Sequence, residues 1–447
     1  MSVRLPTELT VLMHGTAVGT LRRRDRRRPL VLLYRDTLSP SATPLSVSMP
    51  TVVQRHHDAR VRHWIAGLLP DRSEILAAWR RTFGVTSLEE YALLPHIGLD
   101  VAGAVQFCHP DRLAAVEDDG SLVALTDADL SRLLTDLTDT ATGWGVQAHT
   151  GQFSLAGAQA KVALRRTADG WARATGSHPT THILKPAIAG MADQDLGEHL
   201  TMRTARNLGL PVPGTQVRTF QGVRALIVQR YDRRTVDGRL HRVHQEDLVQ
   251  ALGRPPTDKY EASGGPGIVD LVNLLRRVVS PREQIDHDIL RFLDAAAFNY
   301  LTGGTDAHAK NFSLLLAGTQ VRLAPLYDLN SLLPYNDSRT HVELAMSIGP
   351  TRHTRSTDIT AEDWRWLARR VQIDPDRLVA RVAGMAEALP DAARSAAKDP
   401  DIDNSTAGTE AFGHRFVDAV AAHAHRCAAR LQSRVGVRDR GRRVRPP

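Results

Sequence analysis

The stretch that decides the fold runs from Phe298 to Asn330, FNYLTGGTDAHAKNFSLLLAGTQVRLAPLYDLN. Its first residues continue an apolar helix read from Asp286 to Leu301. The pair Gly303-Gly304 predicts the helix end, because glycine takes the positive φ of a C-cap without steric cost. A polar loop follows, Thr305 to Asn311, and then two β-like runs, Phe312–Leu316 and Val321–Leu323, around the turn Ala317–Gln320. Asp328 lies just beyond in Leu326-Tyr327-Asp328-Leu329.

An acid, an amide five positions on, and a second acid after a hairpin have the spacing of a protein kinase's catalytic loop and metal-binding loop. Mg·ATP takes hard oxygen donors, here the Asp328 carboxylate and the Asn311 amide carbonyl. A hydroxyl attacking the γ-phosphorus needs an acceptor for its proton, and Asp306 is the candidate. The D-x4-N spacing alone is common in solvated loops, so the reading depends on what precedes it.

Working upstream, Gln229-Arg230-Tyr231-Asp232-Arg233 follows two expected strands (Val217–Val228) and joins a strand-rich part to a helical one, where an adenine meets backbone groups in a kinase. Thr181-His182-Ile183-Leu184-Lys185-Pro186 ends an apolar strand on a lysine, which is costly without a carboxylate or phosphate to accept it. Thirteen residues on, Glu198 lies near the start of a helix expected over Leu196–Leu208. That lysine and glutamate form the pair that positions ATP phosphates in kinases. Earlier still, Ser154-Leu155-Ala156-Gly157-Ala158-Gln159-Ala160-Lys161 places small residues between strand-like runs. There the backbone can approach phosphate oxygens closely, although neither the G-x-x-x-x-G-K-[ST] nor the G-x-G-x-x-G pattern is present.

The first hundred residues carry no such pattern. Strands are expected across Glu8–Leu33 and Ala102–Phe107, and helices over Val61–Leu69, Glu74–Phe83 (Ser73 as N-cap) and Leu88–Leu94, closed by Pro95. Asp127–Thr138 reads as a connecting helix. From Gln245 onward helices dominate, including Glu246–Leu252, Ile268–Val278 and the C-terminal runs Ala361–Val371, Asp374–Ala388 and Glu410–Ser433. Strands first and helices later predict an α+β chain, a two-lobed protein-kinase-like fold with a β-rich N-terminal lobe and an all-helical C-terminal lobe. The expected units are residues 1–110, 111–235, 236–433 and a basic tail, 434–447.

Composition narrows the classes. A chain of 447 residues with 42% hydrophobic and 24% charged residues is an ordinary globular sequence. Cys108 and Cys427 match no zinc spacing. With no apolar run of about 20 residues, no membrane partner is expected, and a cytoplasmic location is. The net charge of +8 is local: six arginines against Asp25 in 22–28, and six against Asp439 in 434–445, outweigh the remainder. The bulk of the chain is therefore no nucleic-acid binder by charge.

Taken together, the segments SLAGAQAKVAL (154–164), THILKP (181–186), NLGLPVP (207–213), QRYDR (229–233), HQEDLVQALG (244–253), KYEASGGPG (259–267), TDAHAKNFS (305–313) and LYDL (326–329) resemble the HipA-type serine/threonine kinases, toxins of type II toxin–antitoxin systems. PLSVSMP, GLLPD and GAVQF resemble that family's N-terminal portion. The resemblance implies ATP and Mg²⁺ as cofactors, Asp306 as catalytic base, Asn311 and Asp328 as metal ligands, and supporting roles for His308 and Lys310. It places Lys185 and Glu198 on the nucleotide, with Ser154, Ala156, Gly157, Ala158, Gln159, Lys161, Gln229, Arg230 and Tyr231 around it. Ser154 matches a regulatory autophosphorylation serine. The implied partners are a HipB-like helix-turn-helix antitoxin, DNA only through that antitoxin, and a protein substrate, an aminoacyl-tRNA synthetase in the family.

Gln229 departs from the acidic residue that the family carries at the start of QRYDR, and the loop before Asp306 lacks a His-Arg pair. Three alternatives stand beside this reading: a catalytically silent antitoxin-binding co-repressor, a small-molecule kinase with the same lobe order, and a metal hydrolase using Asp306 and His308. The first would need a lost catalytic position, the second an acidic substrate pocket, the third a further His pair.

Overall fold

The structure, a computed structural model, describes residues 6–23, 29–116, 120–139, 155, 157, 159–188, 190–335, 342–403 and 408–432. The N-terminal sheet has strands β1 (Glu8–Met13), β2 (Thr16–Arg22), β3 (Val31–Tyr34), β4 (Arg55–His57) and β5 (Val105–Cys108), in the antiparallel order β4-β3-β2-β1-β5. Leu9, Val11, Leu21 and Leu32 point into one core with Trp64, Ile65 and Phe107. That core is closed by α1 (Asp58–Gly67), while α2 (Ser73–Thr82) packs beside it through Ile75 and Trp79.

Two helix boundaries here differ from the sequence reading. Ser73 is the first helical residue of α2 and not its cap; Arg72 holds the cap position without a side-chain hydrogen bond. Pro95 does not close a helix but opens the short α3 (Leu94–Ile97), where a missing N–H costs nothing.

A second, six-stranded sheet follows: β6 (Leu122–Leu125), β7 (Val162–Thr167), β8 (Gly170–Ala174), β9 (His182–Pro186), β10 (Thr215–Phe220) and β11 (Val223–Gln229). Its order is β10-β11-β9-β7-β8-β6, so β9, which carries Lys185, is central. One face packs on α4 (Asp127–Asp139) through Leu130 and Leu134. Against the other runs α5 (Gln194–Asn207), buried along most of its length.

The hairpin β12 (Arg233–Val236) and β13 (Arg239–Arg242) leads to β14 (His244–Asp247), which joins β15 (Ser313–Ala317) and β16 (Gln320–Leu323) in a three-stranded sheet. Residues 246–252 were expected to be one helix. Glu246 and Asp247 instead pair with Leu314 and Ser313, leaving one turn, α6 (Leu248–Ala251), capped by the Asp247 side chain. The C-terminal lobe is therefore mainly helical with this sheet and a second hairpin, β17 (Glu343–Ile348) and β18 (His353–Arg355), set into it. Its helices are α7 (Ile268–Val278), α8 (Ile285–Thr302), α9 (Ala361–Arg370), α10 (Pro375–Ala396) and α11 (Thr409–Gln432). One core runs through all of these and reaches α5 of the upper lobe by Leu196 and Leu200.

α8 stops where the glycines stop it. Gly303 sits at φ +67°, and a Cβ there would lie 2.8 Å from the Leu333 side chain. The chain then leaves the buried helix end as the loop that carries Asp306 to Asn311.

Candidate active site

Lys185 is 6% exposed, and its Nζ lies 2.7 Å from Glu198 Oε1 and 2.6 Å from Asp328 Oδ1. β9 delivers the lysine, α5 the glutamate, and the segment after β16 the aspartate, whose φ of +58° is rare outside glycine, Asn and Asp. Burial alone would lower the lysine's pKa; Asp328 and Glu198 override it and raise it. The same pairing, with Lys161 nearby, overrides burial at Asp328 and holds that carboxyl down to about 2. Gln194 tightens the cluster, donating 3.1 Å to Asn330 Oδ1 and accepting 2.9 Å from Gln159 Nε2.

The loop after α8 forms the opposite wall. Asn311 Nδ2 donates to the Asp306 carbonyl at 2.8 Å, fixing the five-residue span as a closed turn. The Asp306 side chain is 65% exposed and its Oδ1 accepts from the Tyr260 hydroxyl at 2.7 Å. His308 is buried edge-on against the Tyr260 ring, 4.8 Å between centroids, with Nε2 3.9 Å from Asp306 Oδ1. Burial lowers the His308 pKa against the pull of Asp306, so the ring is held neutral. Lys310 points away from Asp306, into a buried pair with Asp247 Oδ2 at 3.1 Å. Tyr327 pins the loop from behind, its hydroxyl donating to the Lys310 carbonyl at 2.7 Å.

Both walls enclose a cleft of about 240 Å³. Among the expected residues Gly157, Lys161, Lys185, Glu198 and Gln229 line its upper side. Gly157 takes φ +110°, and a Cβ there would lie 2.6 Å from Lys161 Nζ. Burial, with the Lys185 charge beside it, lowers Lys161 to about 8. Ser154, Ala156 and Ala158 lie outside the described residues.

Arg230 lines the cleft as well, and its guanidinium joins a buried network with Asp232 (2.8 Å), Asp100 (3.4 Å) and the Val101 carbonyl (3.0 Å), tying the N-terminal unit to the upper lobe. Tyr231 is half-buried, stacked on Tyr327 at 5.6 Å and hydrogen-bonded to Gln245, and lines the cleft. Sequence reasoning gave no role to Tyr260, Lys259, Asp247 or Asp71, all of which line the same cleft. The signal lay in the segments GLLPD (67–71), HQEDLVQALG (244–253) and KYEASGGPG (259–267), whose charged and aromatic residues had no task.

A larger concavity, about 700 Å³, lies on the far side of the upper sheet against Trp171, Arg206 and Arg218. It touches none of Lys185, Glu198, Asp306, Asn311 and Asp328, so the smaller cleft is the chemical one. Among the described residues no group of three His, Cys, Asp or Glu side chains could hold a metal by itself, and no further His pair joins Asp306 and His308. Asp328 and Asn311 are among the oxygen donors lining the cleft, and a cation held by two such groups would complete its shell with phosphate oxygens. That is how Mg²⁺ binds with a nucleotide. No helix among the described residues is long and apolar enough to cross a membrane.

The lobes, the strand lysine paired with a helix glutamate, and the loop facing them define a two-lobed, protein-kinase-like fold. Residues 153–393 match the HipA-like C-terminal domain and residues 9–108 the HipA N-terminal domain. Y4mE of Sinorhizobium fredii is 35% identical over 405 residues, covering 89% of this chain and 93% of that protein. The serine/threonine-protein kinase toxin HipA of Shewanella oneidensis is 29% identical over 360 residues, covering 76% and 78%. The solved Shewanella oneidensis HipA, in complex with HipB and its operator DNA, superposes with a TM-score of 0.80 at 24% identity over 94% of this chain and 97% of that one. The chain belongs to the HipA family.

Proposed function

We propose that the chain is an ATP-dependent serine/threonine protein kinase acting as the toxin of a toxin–antitoxin pair. The observation that carries this is the bridge from Lys185 to both Glu198 and Asp328 in the cleft that also holds Asp306 and Asn311. Mg·ATP, when bound, supplies the transferable γ-phosphoryl group and the cation that offsets its charge. Asp328 and the Asn311 carbonyl would hold the cation, Lys185 the phosphates, and Gly157 and Lys161 the phosphate side of the small-residue loop. Asp306 would accept the proton of the acceptor hydroxyl as that oxygen bonds to the γ-phosphorus and the bond from that phosphorus to the bridging oxygen breaks, leaving ADP. The buried His308 would support the loop, and Asp306 is the carboxylate there that faces solvent.

The partner reading rests on the relative solved with HipB on operator DNA. We assign this chain a HipB-like helix-turn-helix antitoxin, with DNA contacted through it. By family resemblance the substrate is an aminoacyl-tRNA synthetase, whose modification arrests translation. Ser154 precedes Leu155, which lines the cleft. A phosphate on Ser154 would add about −2 charge to the small-residue segment and oppose binding of the nucleotide phosphates.

Incubation of a cell extract with the purified chain and γ-labelled ATP tests the reading. Label on a discrete extract protein is expected, and it is absent with Asp306→Ala. No label on any protein, this chain included, from unphosphorylated starting material would favour the silent co-repressor.

A further inference from the structure

The N-terminal unit reaches the cleft through Gly67, Asp71 and Ala102, and Asp71 is the charged member of the three. α1 ends at Gly67, and the chain continues through Leu68, Leu69 and Pro70 to Asp71. Asp71 Oδ2 lies 2.7 Å from Lys259 Nζ, and Oδ1 lies 3.6 Å from Lys310 Nζ. Lys310 sits in the loop of Asp306 and Asn311. Lys259 adjoins Tyr260, whose hydroxyl is on Asp306, and its ammonium stands 5.3 Å from the Tyr260 ring centroid.

The delivery is rigid. Gly67 packs on Gln250 so closely that a Cβ would lie 2.5 Å from that side chain. Gln250 Nε2 donates to the Trp64 carbonyl at 2.7 Å, and His63 Nδ1 lies 2.8 Å from the Gly253 carbonyl. The end of α1 is thereby held against α6.

Charge counting shows what Asp71 is there to do. Lys310 is 6% exposed and needs an anion. Asp247 supplies only Oδ2, because its Oδ1 already accepts from the N–H groups of Val249 and Gln250. Asp71 provides the second carboxylate and is itself held in the charged form, with burial overridden by Lys310 and Lys259. Without it, Lys259 would be free to turn toward the Asp306 carboxylate, the opposite charge next along this chain of contacts.

We propose that Asp71 is a positioning residue of the phosphoryl-transfer site, holding Lys259 and Lys310 so that Asp306 stays open to the acceptor hydroxyl. The N-terminal unit thus completes the active site. The proposal rests on the kinase reading above.

The test uses the full chain and follows transfer from γ-labelled ATP, with kcat and the KM for ATP separated and the melting midpoint recorded. Asp71→Asn is expected to lower kcat at least about tenfold, with KM for ATP within about twofold and the melting midpoint within about 3 °C. Asp71→Glu should recover part of the loss. Unchanged kcat in Asp71→Asn overturns the proposal while leaving the kinase reading intact. A loss confined to the KM for ATP, or one that tracks melting without rescue by glutamate, overturns it as well. No transfer by the unsubstituted chain removes the kinase reading and this proposal together.

Discussion

Lys185 and Asp328 are 143 positions apart in sequence and 2.6 Å apart in space. The central strand of the upper lobe and the segment after the lower lobe's hairpin meet at this ion pair, and Glu198 shares its lysine. Two carboxylates share this one lysine at the cleft wall, an acidic arrangement that suits a site gaining a cation along with its nucleotide.

Removing the lysine should therefore harm both activity and fold. Lys185→Met leaves Glu198 buried and Asp328 half-exposed without their lysine, a loss smaller than the ~3–5 kcal/mol of a fully buried broken pair, because solvent screens Asp328. Phosphotransfer should fall about 10²–10³-fold, as for other lost electrostatic contacts to a transition state. Steady-state transfer and a urea titration on the same preparation check the two effects separately.

Tyr260 holds Asp306 in the manner expected of an acceptor hydroxyl, with an O–H donated to Oδ1 at 2.7 Å. A protein acceptor must displace it. Tyr260→Phe should raise kcat/KM for the acceptor about fivefold, close to 1 kcal/mol, a modest hydrogen bond's net worth. The KM for ATP should not move. A fall in kcat would show instead that the phenol orients the base.

Acid should loosen the junction between the N-terminal unit and the kinase lobes. Asp232 accepts from Gly103 N at 2.7 Å and pairs with Arg230 and Arg233, and Asp100 pairs with the same arginines. Burial would raise both carboxyls, but the arginines hold them below the ordinary value of 3.8. Below 3.8 the unfolded chain binds the more protons, so this stability is present above that pH and drains away as pH falls toward the folded-state values. Asp232→Asn should be less stable than the parent at neutral pH, and the gap should narrow in acid. Urea midpoints measured from about pH 6 down to about pH 3 follow it.

Ser154→Asp should raise the KM for ATP through repulsion of the nucleotide phosphates while leaving the melting midpoint unchanged. Mass spectrometry after incubation with Mg·ATP should find phosphate on Ser154 in the parent chain. Wild-type affinity in the Asp variant would count against a regulatory role.

The part of the site legible in sequence is the part built from local rules. A lysine ending an apolar strand, a glutamate on the next helix, and an acid and amide bracketing a glycine-stopped loop each announce themselves by cost or spacing. The residues that escaped notice owe their place to tertiary contacts. Asp71 is an ordinary acid after Pro70 until α1 docks on α6, and Tyr260 has no neighbour in sequence to suggest Asp306. Arg230 lines the cleft as its place in QRYDR suggests, but its ion pair with Asp100, 130 positions away, has no signal in sequence. Residues 244–247 have helix-compatible types, yet β15 offered them a partner, and pairing overrode propensity.

The most direct measurement sets rate against affinity for Asp306→Asn: single-turnover transfer of labelled γ-phosphate at saturating Mg·ATP, beside the dissociation constant for Mg·ATP. The account predicts a rate at least about 10³-fold lower with affinity within about twofold, because Asp306 handles the acceptor's proton and not the nucleotide. A variant that transfers phosphate at the parent's rate, or that loses nucleotide affinity in proportion to its rate, would contradict it.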